Sequence, residues 1–114
     1  MTNIPRFQVH FYKTDTGNEP VRDWLLTLQQ DERKTIGEDI KTVQFGWPIG
    51  MPIARKVEKD LWEVRSKLQN KIARVLFTVE GSQIVLLHGF IKKTQKLPQQ
   101  DLELAKRRLA NLRG

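Results

Sequence analysis

The sequence predicts an α+β fold: a small antiparallel sheet with an N-terminal helical hairpin and a C-terminal helix, in the order β-α-α-β-β-β-α. Three observations lead there. Residues 7–12 alternate apolar and polar with period two. Residues 21–43 repeat apolar side chains at helical spacing. Residues 61–91 divide into three short β-like runs separated by two-residue turn signals. A length of 114 residues fits one compact domain, taken as residues 1–114.

The first strand is Phe7, Gln8, Val9, His10, Phe11 and Tyr12, and the Asp, Gly and Asn in residues 14–18 should turn the chain. Asn18 is the expected N-cap of the first helix, with Pro20 in the first turn, where its missing N–H does no harm. Val21, Trp24, Leu25 and Leu28 then form one apolar helical face, and Ile36, Ile40 and Val43 repeat it after a polar break at residues 29–31. The second helix should end at Gly46, Trp47 and Pro48, and residues 48–52, rich in Pro and Gly, read as a loop.

Strands over 61–67, 72–79 and 84–91 follow, joined by Gln69–Asn70 and Gly81–Ser82. Two-residue hairpins place Arg65 opposite Arg74, Val64 opposite Val75, Trp62 opposite Phe77, Phe77 opposite Leu86 and Val75 opposite His88. One face is then a core of Trp62, Val64, Val75, Phe77, Val79, Ile84, Leu86 and Phe90. The other carries Glu63, Arg65, Lys67 and Arg74 among Leu76, Leu87 and Ile91, and a one-residue slip in either turn would exchange faces. Pro98 opens a final helix with Leu102, Ala105, Leu109 and Leu112 on one stripe.

Charge separates along the chain. Residues 1–54 carry six basic and seven acidic groups, residues 55–96 ten and four, and residues 97–114 four and two, so the net charge of +7 resides in the second half. A localised excess of this kind points to a polyanion, nucleic acid above all. The chain has no cysteine, which excludes a disulfide framework and thiolate chemistry. No signal-peptide pattern opens it, and its longest apolar run, residues 84–87, is far short of the roughly 18–20 residues of a membrane span, so a cytoplasmic protein is expected. The two histidines stand 78 positions apart and carboxylates do not cluster at ligand spacing, so neither a metal nor another cofactor is expected.

Three segments in order, LWEVR at 61–65, ARVLF at 73–77 and LLHGFIKKTQKLP at 86–98 leading into a basic helix with AKRR at 105–108, resemble the HigB-type branch of the RelE/ParE toxin superfamily, including the phage Gp49-like proteins. The preceding strand–helix–helix order extends the resemblance over nearly the whole chain. It implies a RelE-like fold and a toxin of a type II toxin–antitoxin system, a ribosome-dependent endoribonuclease that cuts mRNA without a metal. It also implies a cognate HigA-like antitoxin, often with a helix-turn-helix. The ParE branch shares the fold but poisons DNA gyrase, so fold leaves the target open, and a non-catalytic RNA-binding module is the third reading.

Metal-free RNA cleavage needs an acceptor for the 2′-hydroxyl proton, a donor to the leaving 5′-oxygen and cations for the phosphorane charge. His88 reads as a core histidine, and His10 has no identifiable partner. Arg65 and Arg74, face to face in the inferred register, repel unless an anion lies between them, and a phosphate held by both guanidiniums resolves the repulsion. Gly89, next to Arg74, would leave room for a ligand. The alternative is a structural Arg74, paired with Glu63 or a backbone carbonyl. The resemblance assigns an active-site arginine to Arg65 and a basic or aromatic residue near Lys92 and Lys93, of which Lys93 shares the parity of Gly89. A lysine crowded by arginines has its pKa lowered toward neutral acid–base work. Similar toxins place lysines where Arg55, Lys56 and Lys59 stand, and Lys56 is the catalytic candidate among them. Arg55, Lys59, Lys67, Lys71 and Lys96 are expected to grip RNA phosphates. Glu63 is either a general base or an arginine's orienting partner. Tyr12 is the only tyrosine, so a mechanism using a tyrosine near the C-terminus has no counterpart here.

Overall fold

A computed structural model describes residues 6–48, 53–92 and 96–114, with the backbone alone at Lys92. The elements are β1 (Gln8–Phe11), α1 (Pro20–Leu26), α2 (Gln30–Gly46), β2 (Ala54–Glu58), β3 (Leu61–Leu68), β4 (Lys71–Glu80), β5 (Gln83–Lys92) and α3 (Gln99–Arg113). The α+β class stands, with two corrections. An additional strand, β2, holds Arg55 and Lys56. The sheet is mixed rather than antiparallel: its order is β1-β5-β4-β3-β2, and β1 runs parallel to β5.

Local chemistry explains where the helices start. Pro20 occupies the first turn of α1, but Asn18 is not its cap. The Asn18 backbone N–H instead donates to Thr14 Oγ1 at 3.1 Å and its carbonyl accepts from the Thr14 N–H at 2.8 Å, closing the turn. The polar break after α1 is the start of α2: the Gln29 side chain caps the N3 backbone while Glu32 Oε1 accepts from the Gln29 N–H at 3.0 Å. Glu32 is held below the usual carboxylate range by its hydrogen bond to Lys71 first and by the Gln29 N–H second. In the β3–β4 turn Asn70 has φ +65°, a left-handed conformation that asparagine tolerates. Residues 49–52 of the anticipated 48–52 loop lie outside the described residues.

The sheet has a hydrophobic layer on each side. Val21, Ile36, Ile40 and Val43 of the helical hairpin pack on Val64, Ala73, Val75, Phe77, Ile84 and Leu86. On the opposite face Ala105 and Leu109 of α3 pack with Leu61, Leu76, Val85, Leu87 and Tyr12. Leu112, anticipated on the same stripe, is exposed. Among the described residues no helix is long and apolar enough to cross a membrane.

The β3–β4 register is as inferred, with Arg65 opposite Arg74, Val64 opposite Val75 and Trp62 opposite Phe77. The β4–β5 register departs halfway along. Phe77 faces Leu86, but Leu76 faces His88, so β5 carries one extra residue, Leu87. A bulge of this kind reverses side-chain alternation beyond it. The Leu87 side chain is fully buried, and its carbonyl accepts from Arg108 Nη1 at 2.8 Å, which secures the bulge from α3. Burial holds the Arg108 guanidinium below its ordinary pKa. His88 and Phe90 thereby join the α3 side, while Ile91 joins the helical-hairpin core.

Gly89 therefore lies opposite Val75, not beside Arg74, and faces Trp24 of α1. A Cβ at this position would fall inside the van der Waals envelope of Trp24 Cε3 and Cζ3, so the glycine serves helix–sheet packing rather than ligand access. Gly89→Ala is expected to lower unfolding free energy by about 1–3 kcal/mol through overpacking, measured as a lower denaturation midpoint at unchanged m-value.

Candidate functional site

The last β2–β3 pair is Ala54 with Val64, and the Arg65 N–H donates to the Ile53 carbonyl at 3.0 Å. Beyond that point β2 no longer covers the edge of β3. A groove of about 400 Å³ opens there, lined by Asp39 of α2, Ile53, Arg65 and Lys67 of β3, and Ile72 of β4. Two isoleucines supply apolar walls; the rest is charge. Arg65 is half-buried, and its Nε is shielded from solvent without a hydrogen-bond partner. A second groove of about 310 Å³ also borders Lys67, between Gln29, Asp31, Glu32 and Thr35 at the start of α2 and Leu68, Gln69, Asn70 and Lys71 of the hairpin. Lys71 there pairs with Glu32 at 2.8 Å.

Arg74 is placed differently from the expectation that it shares a phosphate with Arg65. It is 1 % exposed, and its Nη1 donates to Glu63 Oε2 at 3.2 Å. Glu63 is 0 % exposed and also receives Arg55 Nη2 at 3.3 Å on Oε1, so one buried carboxylate binds guanidiniums from β2 and β4 on either side of its own strand. The structural alternative for Arg74 thus describes its surroundings, and Glu63 is an arginine's partner, enclosed too completely to meet a substrate proton.

The remaining candidates spread outward. Lys56 is exposed and pairs with Trp62, one position from the Arg55–Glu63 pair, so alternation sends it to the opposite sheet face from Arg55. Lys59 and Lys96 are exposed in turns. Lys92 stands opposite Ile72, which brings the end of β5 next to the strand that floors the groove. It therefore holds the parity of Arg74 that was anticipated for Lys93, the bulge having shifted it, and Lys93 lies outside the described residues. His88 Nε2 is 2.6 Å from Asp101 Oδ1 and its ring stacks on Phe90, so it ties α3 to β5 and does not reach the groove. His10 is exposed on β1, at the far edge of the sheet. Tyr12 is buried beneath α3, its hydroxyl accepting from Asn111 Nδ2 at 3.3 Å. Among the described residues no three His, Asp or Glu side chains gather closely enough to hold a metal ion.

Asp39 was not singled out in the sequence. It sits between Ile36 and Ile40 at the margin of an apolar stripe, where a charge is ordinarily just the solvated flank of a helix. The signal, in retrospect, is that α2 lies against β3, the strand carrying Arg65.

The groove residues Asp39, Ile53, Arg65, Lys67 and Ile72 all fall within a segment, residues 23–110, that matches a known protein family. Comparison with curated proteins returns no match. The family match spans more than three quarters of the chain, so the protein belongs to the family described as Phage derived protein Gp49-like (DUF891).

Proposed function

We propose that the protein is the toxin of a type II toxin–antitoxin system of the HigB kind, a metal-independent endoribonuclease that enters the cytoplasmic 70S ribosome and cuts the mRNA being translated. The observation that carries this reading is the Arg65 groove. It is a concave, partly apolar slot with a half-buried guanidinium whose Nε lacks a partner, beside a lysine, on the basic half of the chain. A phosphodiester satisfies that guanidinium, and the developing negative charge of the phosphorane strengthens the same contact as the reaction proceeds.

Lys67 adds a second cation, and Lys92 and Lys93 are proposed as further basic contacts to the RNA. Lys56, Arg55, Lys59, Lys71 and Lys96 serve as phosphate contacts along the ribosomal and messenger RNA. Arg74 acts at one remove, fixing through Glu63 the strands that present Arg65. A HigA-like antitoxin would neutralise the toxin, by covering this groove or by barring ribosome entry.

Brief induction followed by mapping of cellular RNA 5′ ends tests the reading. New ends inside translated frames, absent from untranslated RNA, are the expected result. Intact RNA with DNA damage and recovery of gyrase by pull-down would assign the chain to the ParE kind. No cleavage even with translating ribosomes would leave an RNA-binding module, with only a salt-dependent affinity.

A further inference from the structure

We propose that Asp39 of α2 is the group that accepts the 2′-hydroxyl proton of the RNA in the Arg65 groove, an inference that rests on the nuclease reading above.

The groove has walls of opposite charge that do not neutralise one another. Asp39 and the two cations Arg65 and Lys67 line the same 400 Å³ space, yet the ion pairs among the described residues join neither Arg65 nor Lys67 to Asp39. An acidic and two basic residues that border one space without pairing suit a ligand that offers both a proton and an anion. The ribose 2′-hydroxyl and its adjacent 3′-phosphate have that form.

Two other acidic side chains near the site are already engaged, and Asp31 lines only the adjoining groove. Glu63 is sealed between Arg55 and Arg74. Glu32 is bonded to Lys71 and to the Gln29 N–H. Asp39 is only half-buried and, among the described residues, is the one carboxylate lining this groove. Its flanks, Ile36 and Ile40, are buried in the core, which anchors that stretch of helix and so fixes where the carboxylate can reach.

The step balances as follows. The 2′-oxygen forms a bond to phosphorus as its proton passes to an Asp39 oxygen. Arg65 stabilises the added charge on the non-bridging oxygens. The bond from phosphorus to the 5′-oxygen breaks, and that oxygen takes a proton from the Lys67 ammonium, which water reprotonates. The products are a 2′,3′-cyclic phosphate and a 5′-hydroxyl end, and no metal or redox partner is needed.

The test is single-turnover cleavage of mRNA on translating ribosomes by the full-length protein and its Asp39→Asn and Asp39→Glu variants, with ribosome binding measured in parallel. Asp39→Asn keeps the shape of the side chain and removes its basicity, so the rate should fall by about 100- to 1,000-fold while binding stays within about twofold. The acid limb of the pH–rate profile should vanish in Asp39→Asn and return in Asp39→Glu. Among the described residues, the charged groups that line the groove with Asp39 are Arg65 and Lys67 of β3, while Ile53 and Ile72 bring no charge. An Asp39→Asn variant that cleaves at the wild-type rate with an unchanged acid limb overturns the assignment. If wild-type protein cleaves nothing, the nuclease reading has failed, not the choice of base.

Discussion

Arg65→Ala should release cells from growth arrest and lower mRNA cleavage by about 100- to 1,000-fold, with an unchanged circular dichroism spectrum and a melting temperature close to wild type. The magnitude is that of losing one preorganised donor aimed at a developing oxyanion. The separation of activity from stability follows from the side chain's situation. Its Nε has no hydrogen-bond partner to lose, and no ion pair among the described residues includes it. Arg65→Lys keeps the positive charge but not the planar fork, so it should recover only part of the rate. If the alanine variant arrests growth as potently as wild type at equal expression, the groove is not where RNA is cut.

Glu63→Ala should do the reverse and act on the fold. It removes the Glu63 ion pair from a guanidinium that is 1 % exposed and takes a partner from Arg55, across three adjacent strands. Removing one member of a buried ion pair destabilises by about 3–5 kcal/mol, because the remaining charge stays desolvated. A domain of this size has about 5–15 kcal/mol in all, so the loss takes a large share of its stability and the denaturation midpoint should fall sharply. Glu63→Gln keeps the volume but not the charge and should also be strongly destabilised. In the double variant Glu63→Leu with Arg74→Met, apolar side chains replace the buried pair, and part of the loss should return. Denaturant titration of the three variants decides it, and equal midpoints for wild type and Glu63→Ala would show that the buried ions contribute nothing.

Much of the fold was legible because its signals are local. The β3–β4 hairpin obeys counting from its two-residue turn, which is why Arg65 and Arg74 were paired correctly. The bulge at Leu87 was not legible, since nothing in the Leu86–Leu87–His88 run distinguishes a regular strand from one with an extra residue. That one residue moved Gly89 away from Arg74 and gave Lys92 the parity anticipated for Lys93. β2 was not anticipated: Ala54, Arg55, Lys56, Val57 and Glu58 lack clean alternation, and the segment forms an edge by pairing with β3. The parallel pairing of β1 is a long-range choice that no local pattern encodes. At the site, the register and the family resemblance pointed to Arg65 and Arg74 together, but burial separates Arg74 from the groove that Arg65 lines. Asp39 became visible only when α2 was seen against β3, since a helix flank carries no mark of what it faces across space.

The partnership of Gln8 with Gln83, 75 positions later in the chain, has a kinetic consequence. A nascent polypeptide can close the β3–β4 hairpin early, but β1 has nothing to bind until β5 has been synthesised. The half-made chain thus lacks one edge of its sheet and much of what covers the apolar faces of Val9 and Phe11. Long-range pairing of this kind slows folding, so the sheet is completed only after β5 has left the ribosome.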